Sequence, residues 1–170
     1  FGDAPKLYRI EEQKVGLVGC GKITQRAMRL MQGFRFTMYG YDPYMSKEKA
    51  QNAGIKLVDH IEDLADCNII LSHIPGLKGT EKMVNASLFE LCKPENHTIF
   101  INCARGASVN YDDLAAALKS GKIAWAGLDV VDAEPADFNS AIFSCDNVTF
   151  TPHAAFYSET ALYECRHDSA

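Results

Sequence analysis

Two hydrophobic patterns alternate along the chain. Lys14-Val15-Gly16-Leu17-Val18-Gly19, Asn68-Ile69-Ile70-Leu71 and Thr98-Ile99-Phe100-Ile101 are short, almost unbroken apolar runs. They lack the in-and-out alternation of a half-exposed sheet and read as strands buried on both faces. Behind the first run, Ile23, Ala27, Leu30 and Met31 recur at helical spacing. Carried along the chain, the pattern predicts strands at 14–19, 36–41, 69–74, 98–102, 124–129 and 148–151. It places a helix after the first strand and others near 46–53, 60–66, 86–92, 111–120 and 156–166. Such alternation requires right-handed crossovers, so the expected class is α/β: a doubly wound parallel sheet between two helical layers. Turn signals separate the elements at Asp42-Pro43, Pro75-Gly76, Lys93-Pro94, Arg105-Gly106, Glu134-Pro135 and Thr151-Pro152. Most follow the carboxyl end of a strand, where open parallel sheets bind ligands.

Composition narrows the function classes. A length of 170 residues suits one domain, and 47% hydrophobic with 23% charged residues excludes a disordered or fibrous chain. The formal charge of −5, with basic residues scattered along the sequence, gives no footprint for nucleic acid or an anionic membrane. No apolar run approaches the ~20 residues of a spanning helix, and Phe1-Gly2-Asp3-Ala4-Pro5 has no leader-like pattern. Six cysteines stand far apart with no C-x-x-C pair, so zinc and redox spacings are absent; we expect a reduced, cytoplasmic chain whose cysteines act as small buried hydrophobes. No metal is expected, and a small soluble ligand is the natural partner.

Gly19-Cys20-Gly21-Lys22-Ile23-Thr24 closes the first strand and opens the first helix. The first glycine permits the tight turn, and the second lets a pyrophosphate approach the backbone at the helix N-terminus. Thr24 stands where the pattern usually has a third glycine for close helix packing, which predicts a slightly displaced helix. Alone, a glycine pair is also compatible with an ordinary tight turn. Asp42 lies 21 residues beyond Gly21, at the end of the second strand, where a carboxylate can accept hydrogen bonds from the adenosine ribose. It would repel a 2′-phosphate, so a Rossmann-type site for NAD rather than NADP is expected; by itself Asp42 before proline is also a turn residue.

Arg105, Glu134 and His153 each stand at a predicted strand end beside a loop signal. Taken singly they read equally as a surface charge, a turn residue and a loop histidine. In order, and behind the dinucleotide fingerprint, they resemble a family. Leu71-Ser72-His73-Ile74-Pro75, Ile101-Asn102-Cys103-Ala104-Arg105-Gly106-Ala107-Ser108-Val109, Gly127-Leu128-Asp129-Val130 with Glu134-Pro135, and Thr151-Pro152-His153 resemble the NAD-binding domain of the D-2-hydroxyacid dehydrogenases. The resemblance covers roughly residues 14–165. The ending Pro152-His153-Ala154-Ala155-Phe156-Tyr157-Ser158-Glu159 looks most like the branch holding the C-terminal-binding-protein corepressors and the phosphoglycerate-dehydrogenase-like enzymes.

The resemblance implies roles. His153 would be the acid/base toward the substrate oxygen, a task suited to imidazole, which titrates near neutral pH. Glu134 would orient and charge-stabilise His153, and Arg105 would grip the substrate carboxylate with its planar fork. Lys22 and Ile23 would meet the pyrophosphate and Thr80 the phosphates. Cys103, Ala104 and Arg105 would lie beside the nicotinamide ribose, Asp129 at the carboxamide, and His153 and Ala155 near the nicotinamide. Ala155 occupies a place often held by glycine. His73 is expected either in the cofactor cleft or in the core, whereas His60, His97 and His167 read as surface residues.

Family members usually carry a long segment ahead of the fingerprint that builds a substrate domain. Residues 1–13 would be a remnant leading from that absent domain, 14–170 the NAD-binding domain, and the last helix would be cut short. The resemblance then implies a chain that binds NAD with little turnover of its own, acting in the full-length protein on a 2-hydroxy or 2-keto acid. A homodimer through the cofactor domain is also implied, as is the alternative of a corepressor-like protein regulated by NAD.

Overall fold

A computed structural model describes residues 9–167; of the expected leading segment and tail, 1–8 and 168–170 lie outside the described residues. Seven strands form one sheet: β1 Lys14–Val18, β2 Thr37–Tyr41, β3 Ile55–Leu57, β4 Ile69–Ser72, β5 Ile99–Asn102, β6 Trp125–Leu128 and β7 Val148–Phe150. All pair in parallel, in the order β3-β2-β1-β4-β5-β6-β7. The α-helices are α1 Lys22–Leu30, α2 Lys47–Asn52, α3 Ala86–Phe89, α4 Tyr111–Lys119 and α5 Glu159–His167. This is the expected doubly wound α/β architecture.

Burial on both faces follows from the apolar runs. Leu17 and Val18 are adjacent in β1 and both fully buried, yet they enter different cores: Leu17 joins Val15, Met28 and Ile55, and Val18 joins Ile70, Phe100 and Leu114. Register then levels the carboxyl edge. Val18 pairs with Tyr41 and Ser72, Ser72 with Asn102, Asn102 with Leu128, and Leu128 with Phe150. The next residue of each strand, from Gly19 and Asp42 to Cys103, Asp129 and Thr151, therefore stands in one row. Strand order reverses between β1 and β4, which opens the crevice at the middle of that row.

Several sequence expectations need correction. β3 was not predicted, because three residues after Gly54 are too short to display a period. The helix expected at 60–66 is a single 3-10 turn, Ile61–Leu64, and the one expected at 86–92 contracts to α3. Of the cysteines, Cys20, Cys67 and Cys92 are buried, and burial pushes their thiols up to about 12, 12 and 11. Cys145 is half-buried, and Cys103 and Cys165 are exposed, against the expectation that all were core residues. His60, His97 and His167 are exposed, as expected. No described helix is long and apolar enough to cross a membrane.

Candidate active site

The turn after β1 leaves room for a phosphate and little else. Gly19 has φ +87°, and a Cβ there would stand 2.9 Å from Ile74 Cγ2 and 3.2 Å from the His73 carbonyl, so only glycine fits. Cys20 points inward, against Gly40 of β2, where an added Cβ would come within 2.5 Å of its sulfur. Gly21 faces open space and gives α1 no side-chain cap. The first amides of α1 thus point outward at the positive end of the helix, an arrangement that accepts phosphate. The Asp42 carboxylate holds the turn from the side, accepting from the Cys20 amide at 2.8 Å and the Tyr44 amide at 2.9 Å. A carboxylate has lone pairs beyond those two for ribose hydroxyls. The cradle and its acidic neighbour fit a dinucleotide.

Thr24, in the place of the third glycine, works as a buried clasp. It is fully buried, and its hydroxyl donates to the Gly19 carbonyl at 2.7 Å while lying 3.0 Å from His73 Nδ1. With the hydroxyl proton committed to Gly19, His73 is assigned as the donor through Nδ1–H. Burial lowers the His73 pKa below the ordinary 6.5, which favours this neutral form. The partners lie 49 positions apart, so nothing local in the sequence signals the contact.

A cleft of about 780 Å³ runs along the strand ends. Ile23, Cys103, Ala104, Arg105, Asp129, His153 and Ala155 all line it, and so does His73. Gly19, Gly21 and Asp42 form the turn beside it. Lys22 lines a separate groove between α1 and α2. Thr80 is occupied within its own loop, its hydroxyl meeting the Pro75 carbonyl at 2.5 Å and the Leu77 carbonyl at 3.0 Å. Glu134 lies behind the cleft, on an apolar hollow of about 490 Å³ that shares His153 with it.

Arg105 is held by its backbone rather than by an ion pair. Its carbonyl accepts from Ser108 Oγ at 2.7 Å and from Asn102 Nδ2 at 3.2 Å. The fully buried Asn102 also donates to the Tyr111 hydroxyl, which donates to the Val130 carbonyl at 2.7 Å. This network ties the β5 loop to α4 and to the loop after β6. One guanidinium N–H returns to the Ala104 carbonyl at 2.7 Å, so most of the five donors of the fork remain for a ligand. Gly76 packs on the Arg105 stem, with 3.1 Å from a Cβ there to Arg105 Cβ, and Gly106 lies directly on the Val131 carbonyl.

His153 is the strained residue of the site, with φ +52°. Its Nδ1 lies 2.9 Å from Glu134 Oε2, which leaves Nε2 for the cleft. The Asp129 carboxylate pins the backbone on either side. Oδ1 accepts from the Thr151 hydroxyl at 2.5 Å and the Ala154 amide at 2.8 Å, and Oδ2 from the Ala155 amide at 2.9 Å. Burial disfavours the charged carboxylate, but the bonds from Thr151, Ala155 and Ala154 and the nearby His153 outweigh it and hold the carboxyl below the ordinary 3.8. Thr151 and the loop-pinning work of Asp129 were not anticipated from sequence.

Comparison with known proteins agrees with this geometry. Residues 2–155 match the family model described as D-isomer specific 2-hydroxyacid dehydrogenase, NAD binding domain. The chain is 36% identical over 184 residues to D-lactate dehydrogenase of Lactiplantibacillus plantarum, covering 99% of this chain and 54% of that protein. It is 36% identical over 140 residues to D-3-phosphoglycerate dehydrogenase of Archaeoglobus fulgidus, covering 82% and 26%. The crystal structure of Aquifex aeolicus D-lactate dehydrogenase with NAD and lactic acid superposes with a TM-score of 0.83 at 27% identity, over 95% of this chain and 52% of that one. The chain thus spans about half or less of the length of these relatives, all of them enzymes, which disfavours the corepressor-like alternative. Fold, fingerprint and sequence kinship together make the chain a member of the D-isomer specific 2-hydroxyacid dehydrogenases, corresponding to their NAD-binding domain.

Proposed function

We propose that the chain is the cofactor half of an oxidoreductase that interconverts a D-2-hydroxy acid and its 2-keto acid. The observation that carries this reading is that Arg105 and His153 line one strand-end cleft, with Glu134 behind His153 at 2.9 Å and the glycine turn beside the cleft. NAD would lie with its pyrophosphate on the Gly19-Cys20-Gly21 turn and α1, held by Lys22 and Ile23, whereas the Thr80 hydroxyl stays committed to its own loop. Asp42 would meet the adenosine ribose, and Cys103, Ala104, Asp129 and Ala155 the nicotinamide end. When bound, NADH would supply a hydride, one proton with two electrons, to the carbonyl carbon.

The protein does the rest. Arg105 pairs its fork with the substrate carboxylate and sets the carbonyl across the cleft. His153 gives the proton from Nε2 to the substrate oxygen in reduction and takes it back in oxidation. Glu134 accepts from Nδ1–H, which fixes the tautomer and stabilises the imidazolium. Asp129 holds the His153 loop in its left-handed turn, and Oδ2 keeps a lone pair for the carboxamide.

In this chain Ile23, Leu77 and Phe156 line the cleft yet are 74%, 61% and 61% exposed, so water reaches the reacting centre. We therefore expect NAD binding with slow turnover. Calorimetric titration with NAD and NADP tests the reading. Micromolar binding of NAD with NADP weaker by at least about 1.4 kcal/mol, a factor of ten, is the expected result; equal binding of the two would refute the role given to Asp42. His153→Ala should abolish 2-keto acid reduction while NAD binding persists.

A further inference from the structure

The fold gathers what the sequence scatters. Lys22, Arg26, Arg29 and Lys49 line a groove of about 620 Å³ between α1 and α2, with Gln25 and Asn52 among them. The first three fall at i, i+4 and i+7 on α1 and so form one stripe. All four are exposed, and none is in a salt bridge; the described ion pairs use Arg9, Arg35, Lys93, Lys122 and His153. Helix stability argues against this pattern. Like charges at i, i+4 repel, and a cation at position 22 opposes the positive end of α1. The only acid on either helix, Glu48, does not line the groove. The protein alone leaves this repulsion uncompensated.

We propose that the groove binds a compact multivalent anion of the oligophosphate class, either free polyphosphate or the phosphate tail of a nucleoside triphosphate. Two guanidinium forks and two ammonium groups match several phosphate oxygens at once, whereas a monoanion would leave most of the charge unmatched. The volume is that of a small-molecule site. With a chain of net charge −5, the surface beyond the groove is acidic on balance, which opposes an extended polyanion such as nucleic acid. The groove also adjoins the cofactor turn: Gln25 Nε2 donates to the Cys20 carbonyl at 2.7 Å. An occupied groove draws Lys22 away from the dinucleotide and lowers its affinity. That competition rests on the proposed pyrophosphate role of Lys22; anion binding itself does not.

The test is calorimetric titration of the chain with tripolyphosphate and with ATP at low salt. R26Q/R29Q/K49Q should weaken both by at least about tenfold, because it removes three of four charge-assisted contacts, while NAD titrated alone stays within about twofold. ATP binding no tighter than tripolyphosphate assigns the site to phosphate alone; tighter ATP binding that is still lost in the triple variant assigns it to the nucleotide. Saturating tripolyphosphate should weaken NAD binding to the wild type and not to the variant. No binding of either probe, binding unchanged in the variant, or binding of poly-glutamate in place of oligophosphate overturns the proposal. Groove-dependent binding without any effect on NAD overturns only the competition, and with it the role of Lys22.

Discussion

Gly106→Ala separates a packing requirement from ordinary loop tolerance. A Cβ at Gly106 would sit 1.7 Å from the Val131 carbonyl oxygen, 2.2 Å from its carbon and 2.8 Å from the Asp132 amide. All three atoms are backbone, so no side chain can swing aside. Restoring an ordinary carbon–oxygen contact of about 3.3 Å needs an opening of roughly 1.6 Å between the β5 loop and the loop after β6. The first carries Arg105 and the second Glu134. The Tyr111–Val130 and Asn102–Arg105 hydrogen bonds resist both displacements.

We expect a cost at the upper end of overpacking, about 3 kcal/mol. For a domain of this size that lowers Tm by roughly 6–12 °C. An opening of that length also exceeds the tolerance of the 2.9 Å His153–Glu134 bond, so reduction of any 2-keto acid should fall by about a hundredfold or more. Differential scanning calorimetry measures the first effect. Gly33→Ala is the control: nothing lies within 4 Å of its added Cβ, and its melt should stay within about ±0.5 kcal/mol of wild type. If Gly106→Ala melts with the control, the loop contact does not hold Arg105 in place and the reasoning fails.

Asp129→Asn keeps shape but loses a carboxylate that accepts three hydrogen bonds, and should destabilise by about 1–3 kcal/mol. Because the folded carboxyl lies below its ordinary 3.8, its contribution is complete above that value and is lost as pH falls through the folded one. The Tm gap to wild type should therefore close on acidification; a gap that widens would contradict the assignment. Thr24→Val strips the buried clasp from the Gly19 carbonyl and His73 and should cost about 1–2 kcal/mol. Thr24→Ser should restore NAD binding, and equal affinity in all three proteins would show that the clasp does not shape the turn.

Elements and site differed in how far the sequence disclosed them. Strands buried on both faces declare themselves because apolar residues follow one another without alternation, which is why β1, β4 and β5 were legible, whereas β3 has three residues and one of them, Lys56, faces solvent. Loop signals place Gly19, Asp42, Arg105, Glu134 and His153 past strand ends, and parallel register turns that local position into a shared edge; the roles expected of the last three come from the family resemblance, not from position. The contacts that lock the edge were not. Thr24 reaches His73, Asn102 reaches Tyr111 and Asp129 reaches Thr151 across loops, and each of these residue types is common enough to mean nothing alone.

Charge failed for a related reason. Lys22, Arg26 and Arg29 are separated by ordinary residues in the linear sequence, and only helical phase puts them on one side of α1. Lys49 then arrives from α2 because β1 and β2 are neighbours in the sheet and their crossover helices pack on the same face. A patch assembled by two crossovers leaves no run of like charge to read. The same rule that makes the shared strand-end edge visible, strand order fixing which loops meet, makes the basic groove invisible until that order is known.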